Sequence, residues 1–122
     1  MSADAAPWPT DVQIDRASKT LTIAFDSGER FVIAAELLRV ESPSAEVQGH
    51  GGDQKKIVAG RRHVAIIGAE PVGNYALRLS FDDLHDTGLY SWRYLYQLGA
   101  EQDRIWAQYL DNLAAQGLSR DP

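Results

Sequence analysis

Three histidines, a short run of carboxylates and a few serines are the residues of this chain best suited to chemistry. His85 stands between Asp83 and Asp86, with Asp82 just before them. Imidazole and carboxylate oxygens in one turn form a donor set that zinc, iron or manganese accepts. His50 lies in the Gly49-His50-Gly51-Gly52 stretch, from which it could reach toward His85, and His63 follows Arg61-Arg62. None of the three has the i, i+4 helical spacing of a zincin. The same aspartates suit acid–base work, although Asp is also favoured in polar turns for its local hydrogen bonds. Ser42, Ser44 and Ser91 lack a nucleophile elbow. No glycine run matches a P-loop or a dinucleotide fingerprint.

Composition narrows the field further. The chain has 122 residues and no cysteine, which removes disulfides, thiolate metal sites and cysteine nucleophiles together. Twelve Lys and Arg stand against 17 Asp and Glu, a formal charge of −5 that argues against nucleic acid as a partner. Positive charge concentrates only at Lys55, Lys56, Arg61 and Arg62, a stretch without the interleaved aromatics that nucleic acid requires. No apolar run is long enough to span a membrane. Met1–Thr10 carries no secretory pattern, so a cytoplasmic protein is expected.

The elements that must position these residues follow from periodicity. Val12 and Ile14 alternate with polar neighbours. Leu21, Ile23 and Phe25 lie on one face of a strand whose Asp26–Glu29 turn leads into Arg30–Ala34, a β-hairpin. Glu41 to Gly60 is poor in apolar residues and reads as a long irregular loop. Val64–Ile67 and Tyr75–Phe81 read as further strands, the second placing Tyr75, Leu77, Leu79 and Phe81 on one face. Ser91 is the expected N-cap of a helix from Trp92 to Leu98, with Gly99 at its C′ position. A second helix is expected from about Glu101 to Gln116, with Ile105, Trp106, Tyr109, Leu110 and Leu113 on one stripe. Strands first and helices last predict an α+β fold. The expected form is a small two-layer sandwich, with an antiparallel or mixed sheet and the C-terminal helices packed on one face. Residues 1–10 read as an N-terminal arm, 11–117 as a single domain and 118–122 as a tail.

Three segments resemble a known family. They are Leu38–Glu46, Glu70–Leu77 and His85–Leu95, the last reading His-Asp-Thr-Gly-Leu-Tyr-Ser-Trp-Arg-Tyr-Leu. Together they resemble the domain of unknown function 971, the gamma-butyrobetaine hydroxylase-like N-terminal domain, across about Thr20 to Leu98. The same domain precedes the catalytic part of dioxygenases and is appended to some P-loop ATPases of iron–sulfur carriage. The resemblance implies a small α+β module standing alone beside another protein, in iron–sulfur or redox metabolism. It also implies a zinc site of three cysteines and a histidine. Here the cysteine positions look like Ser42, Ser44 and Val47, while His85 matches the histidine, so that site is expected to be lost and no cofactor is expected. Leu84 stands where many relatives have glycine.

The expected function is therefore a noncatalytic interaction module with an unknown protein partner, and homo-oligomers remain open. The recognition surface is expected at Pro71, Gly73, Asn74, Tyr75, His85, Tyr90 and Trp92, because Trp and Tyr are enriched at interfaces. The same residues could instead fix a corner between sheet and helix. The rival reading is a metal- or small-molecule-binding protein using His85, Asp83 and Asp86.

Overall fold

A computed structural model describes residues 7–49 and 55–122. His50 and the glycines after it lie outside the described residues, as does most of the expected N-terminal arm. The element order is β1 (Pro9–Asp15), β2 (Thr20–Phe25), β3 (Arg30–Ala34), α1 (Ala35–Val40), α2 (Ala45–Gln48), β4 (Ile66–Val72), β5 (Ala76–Phe81), β6 (Leu89–Ser91), α3 (Trp92–Ala100) and α4 (Gln102–Ala115). This is the α+β arrangement expected, with its strands divided between two three-stranded antiparallel sheets, β1-β2-β3 and β4-β5-β6. Each strand pairs only with its neighbour in the chain, the outcome that short connections favour.

One core joins both sheets to the helices. Leu21, Ile23 and Ile33 from the first sheet meet Ile66, Leu79, Phe81 and Tyr90 from the second, with Leu38 from α1 and Leu95 and Leu98 from α3. The period-two alternation of β2 appears directly in its burial, with Leu21, Ile23 and Phe25 inside. Gly28 takes the positive φ of 95° that its turn demands.

Several elements depart from the sequence expectation for identifiable reasons. Gly99 does not end α3. It lies inside the helix, where a Cβ would fall within the Phe31 ring, so glycine permits a close approach rather than a C-cap. Tyr75 precedes β5 and is exposed, because Gly73 turns the chain at φ 56° and the strand begins one residue later. β4 extends through Glu70 and Pro71 to Val72. It is an edge strand, where the missing proline N–H removes no ladder bond.

The described parts of the Glu41–Gly60 stretch, residues 41–49 and 55–60, are irregular apart from α2, yet they are held down. Val47 and Val58 are buried with Val40, Tyr109 and Leu113 in a second apolar cluster beneath α4. On α4, Tyr109 and Leu113 are buried, whereas Leu110 sits at the exposed margin of the stripe. Residues 118–122 run back along the domain. The backbone N–H groups of Gly60 and Arg62 donate to Ser119 and Arg120, and Arg120 makes two bonds to the buried Glu36 at 2.9 and 2.7 Å.

Candidate functional site

The polar residues of the 41–47 segment and the 82–88 turn meet in the interior. Ser42 Oγ lies 2.9 Å from His85 Nε2 and Ser44 Oγ lies 3.4 Å from the same nitrogen. The Ser44 N–H donates to Ser42 Oγ at 3.3 Å. Ser42 is wholly buried, and Ser44 and His85 are nearly so. Gly88 permits this closure, since a Cβ there would stand 2.5 Å from Ser42 Oγ and 3.3 Å from Pro43 Cδ. His85 Nδ1 has Glu46 Oε2 at 3.9 Å, beyond hydrogen-bond reach. Burial first, and the Arg39 charge second, push the His85 pKa below its ordinary value, so at neutral pH the ring is uncharged.

A serine hydroxyl on an imidazole, with a carboxylate behind it, has the outline of an activated nucleophile. Full burial of Ser42 denies that oxygen any substrate. Nor does the donor set suit the zinc that the resemblance implies. Two neutral hydroxyls and one imidazole remain, and the buried Val47 offers no donor atom. The residues present do not fit the metal.

The aspartates of the rival reading are committed elsewhere. Asp83 Oδ2 accepts from Arg39 Nε and Arg61 Nε, both at 2.7 Å, and Asp83 Oδ1 accepts from the His85 N–H at 3.2 Å. Burial raises the Asp83 pKa, but the bonds from Arg39, the His85 N–H and Arg61 outweigh it and hold the carboxyl below its usual range. Asp86 is exposed. Among the described residues no three His, Asp or Glu side chains are grouped to hold a metal ion. His63 lies apart, beside Arg61 and Asp82 in a shallow depression.

Three tyrosine hydroxyls pin the same region. Tyr90 donates to Leu38 O at 2.5 Å, Tyr94 to Glu41 O at 2.5 Å and Tyr109 to Val58 O at 2.6 Å. Burial raises all three pKa values, that of Tyr109 to about 12. Tyr90 is fully buried and His85 nearly so, so these two do not share the surface on which sequence reasoning placed them. Their polar atoms turn inward, where the Leu38 carbonyl and the Ser42 and Ser44 hydroxyls need partners.

The other five residues of that expected surface do gather at one place. Asn74, Tyr75 and Trp92 line an open depression of about 430 Å³ with Pro7, Trp8, Ser91 and Arg93. Trp92 also walls a second depression of about 440 Å³, lined by Val12, Ile14, Ala69, Pro71 and Leu77. The two depressions meet at Trp92, and the second is a groove lined from β1 and β4, the edge strands of their sheets. The Trp92 indole N–H is spent on Asn74 O at 2.9 Å, which fixes the ring. Gly73 seats the Tyr75 ring, whose carbons lie 3.1 Å from where a Gly73 Cβ would be. Trp8 and Tyr75 are 54% and 56% exposed, high for aromatics that flank an apolar channel. Nothing linear in the sequence connects Trp8 to Tyr75 or to Val12 and Ile14.

Comparison with known proteins places this geometry in context. The gamma-butyrobetaine hydroxylase-like N-terminal family matches residues 12–96. A protein solved in solution by NMR is 49% identical, with a TM-score of 0.85 over 97% of this chain and 93% of that one. A second NMR structure is 48% identical, with a TM-score of 0.84 over 100% of this chain and 90% of that one. A crystal structure of a DUF971 family protein of unknown function from Acidithiobacillus ferrooxidans is 34% identical. Its TM-score is 0.65, over 76% of this chain and 93% of that one. No curated protein matches.

Proposed function

The chain belongs to the gamma-butyrobetaine hydroxylase-like N-terminal family, whose function is unknown, and from that premise we propose that it is a noncatalytic protein-interaction module. The observation that carries this reading is the groove between the two edge strands. Trp8, Tyr75 and Trp92 flank it, and Val12, Ile14 and Leu77 give it an apolar floor. Exposed aromatics beside an apolar channel are the usual anchors of protein recognition. Two further observations support a binding rather than a catalytic role. Ser42 and His85 satisfy each other inside the fold, and Asp83 is neutralised by two arginines. A partner in iron–sulfur or redox metabolism is part of this proposal and is supported by the family resemblance alone.

Affinity capture from native lysate with the wild-type chain, Trp8→Ala and Tyr75→Ala tests the reading. A partner held by the wild type and lost by variants of unchanged melting temperature supports it. Capture indifferent to both substitutions overturns it.

A further inference from the structure

Glu36 is the only buried acidic residue among those described, 6% exposed within an α1 helix whose every residue is buried. A carboxylate there is costly unless a hydrogen-bonded cation meets it. The cation is Arg120, which donates from Nε to Oε2 at 2.9 Å and from Nη2 to Oε1 at 2.7 Å. Trp106 completes the seat, with the guanidinium carbon 5.0 Å from its ring centroid. A carboxylate met by both arms of the fork, under an aromatic face, selects a planar guanidinium. An ammonium is a point charge and cannot fork across both oxygens.

The segment that delivers this guanidinium is lightly fastened. Leu118, Ser119, Asp121 and Pro122 are exposed, and only Arg120 is partly covered. The Ser119 and Arg120 carbonyls accept from the Gly60 and Arg62 N–H groups at 2.9 and 3.0 Å. Asp121 adds an exposed ion pair to Arg62. Gly117, at φ 64° and with open space where a Cβ would be, stands between α4 and the segment. Exposed backbone with few buried contacts opens at low cost. Opening would strand Glu36 without its cation, and a second guanidinium repairs that loss. The depression at this point, about 240 Å³, is also lined by Asp103, which has no side-chain partner among the described residues. The rim therefore stays acidic even while Arg120 is seated, and it favours an incoming cation.

We propose that Glu36 and Trp106 form an arginine-binding seat, filled by the chain's own Arg120, and that an arginine of a partner protein takes it when residues 118–122 lift away. The Gly60 and Arg62 N–H groups freed at the same time donate to the partner's carbonyls, as they do to Ser119 and Arg120. The seat shares no lining residue with the Trp8–Tyr75–Trp92 groove and stands or falls separately from it.

The test titrates the full chain, as wild type and as Arg120→Ala, with a blocked peptide of sequence Leu-Ser-Arg-Asp-Pro. Amide and indole chemical shifts and melting temperature are the readouts. Arg120→Ala is expected to melt about 5–10 °C below the wild type. The peptide is expected to bind this variant with shifts at Trp106, Gly60 and Arg62, and to raise its melting temperature. Binding to the wild type is expected to be at least about tenfold weaker, because the tethered Arg120 competes at high local concentration. The Ser119–Asp121 amides then move as the segment is displaced. Lysine in place of the peptide's arginine is expected to weaken binding about fivefold, and neutral citrulline about tenfold or more. Equal binding of the citrulline peptide, or equal binding to wild type and Arg120→Ala, overturns the proposal. So does a folded Arg120→Ala that binds no peptide, or binds it with shifts elsewhere. If the variant is unfolded alone, folding regained with the arginine peptide supports the proposal, and no recovery overturns it. A wild type that sediments as a dimer while Arg120→Ala is monomeric makes a second copy the donor and overturns the assignment to another protein. None of these outcomes alters the result of capture with Trp8→Ala and Tyr75→Ala.

Discussion

The His85 centre and the Trp8–Tyr75–Trp92 groove use similar residue types to opposite ends. In the centre, hydroxyls, an imidazole and loop carbonyls are buried and each finds a partner within the chain, as Ser42 does with His85 and Tyr90 with Leu38. In the groove, by contrast, more than half of Trp8 and Tyr75 is exposed. A buried polar group is costly unless bonded, so a satisfied interior cluster is evidence of support rather than of chemistry. The lesson is that residues able to do chemistry and residues placed to do it are different sets here. The sequence features most suggestive of a reaction are the ones the fold consumes.

The comparison breaks first under removal of its central ring. His85→Ala strands two buried hydroxyls and opens a cavity, and a loss of about 2–4 kcal/mol is expected by urea denaturation. An unchanged midpoint would make the centre dispensable. Gly88→Ala drives a methyl against Ser42 Oγ and is expected to cost about 1–3 kcal/mol. Thermal melts of this variant beside the wild type check it.

Acid sharpens the contrast next. Unfolded histidine titrates near about 6.5, and folded His85 titrates lower. Above that unfolded value both states are neutral and the contribution of the buried ring is complete. As pH falls toward the folded value the unfolded state takes up the proton first, so stability declines. Denaturation midpoints should therefore drop between pH 7 and 5, and more gently in His85→Gln. The smallest effect lies at the turn that carries the ring. Leu84 is held at φ 73° with 86% of its surface exposed. Leu84→Gly relieves a left-handed penalty of about 1 kcal/mol against an added entropy cost of about 0.5 kcal/mol. A slight rise in melting temperature is expected.

Much of the architecture was legible because local patterns and final contacts agree. The β2–β3 hairpin follows from alternation and the Asp26–Glu29 turn. The start of α3 follows from Ser91, whose side chain accepts from the Tyr94 N–H at 3.1 Å. Gly99 was misleading because a helix-stop residue and a residue that admits an aromatic ring look alike in sequence, and only the position of Phe31 separates them. The family resemblance aligned Ser42, Ser44, Val47 and His85. Their hydrogen-bonded closure and the Asp83–Arg39 pair join positions 43 and 44 residues apart, and the Asp83–Arg61 pair spans 22, all beyond any local period. The groove was half visible for the same reason. Gly73, Asn74 and Tyr75 form a contiguous turn, whereas Trp8, Val12 and Ile14 arrive from another sheet.

The most direct measurement removes one phenolic oxygen from each region. Tyr90→Phe and Tyr75→Phe delete the same atom, and urea denaturation of the two against the wild type isolates its surroundings. Tyr90→Phe leaves the Leu38 carbonyl buried without its donor and is predicted to lose about 1–3 kcal/mol. Tyr75→Phe is predicted to stay within about 0.5 kcal/mol of the wild type. Equal losses, or a larger loss at Tyr75, would contradict the division between a supporting centre and an open binding groove.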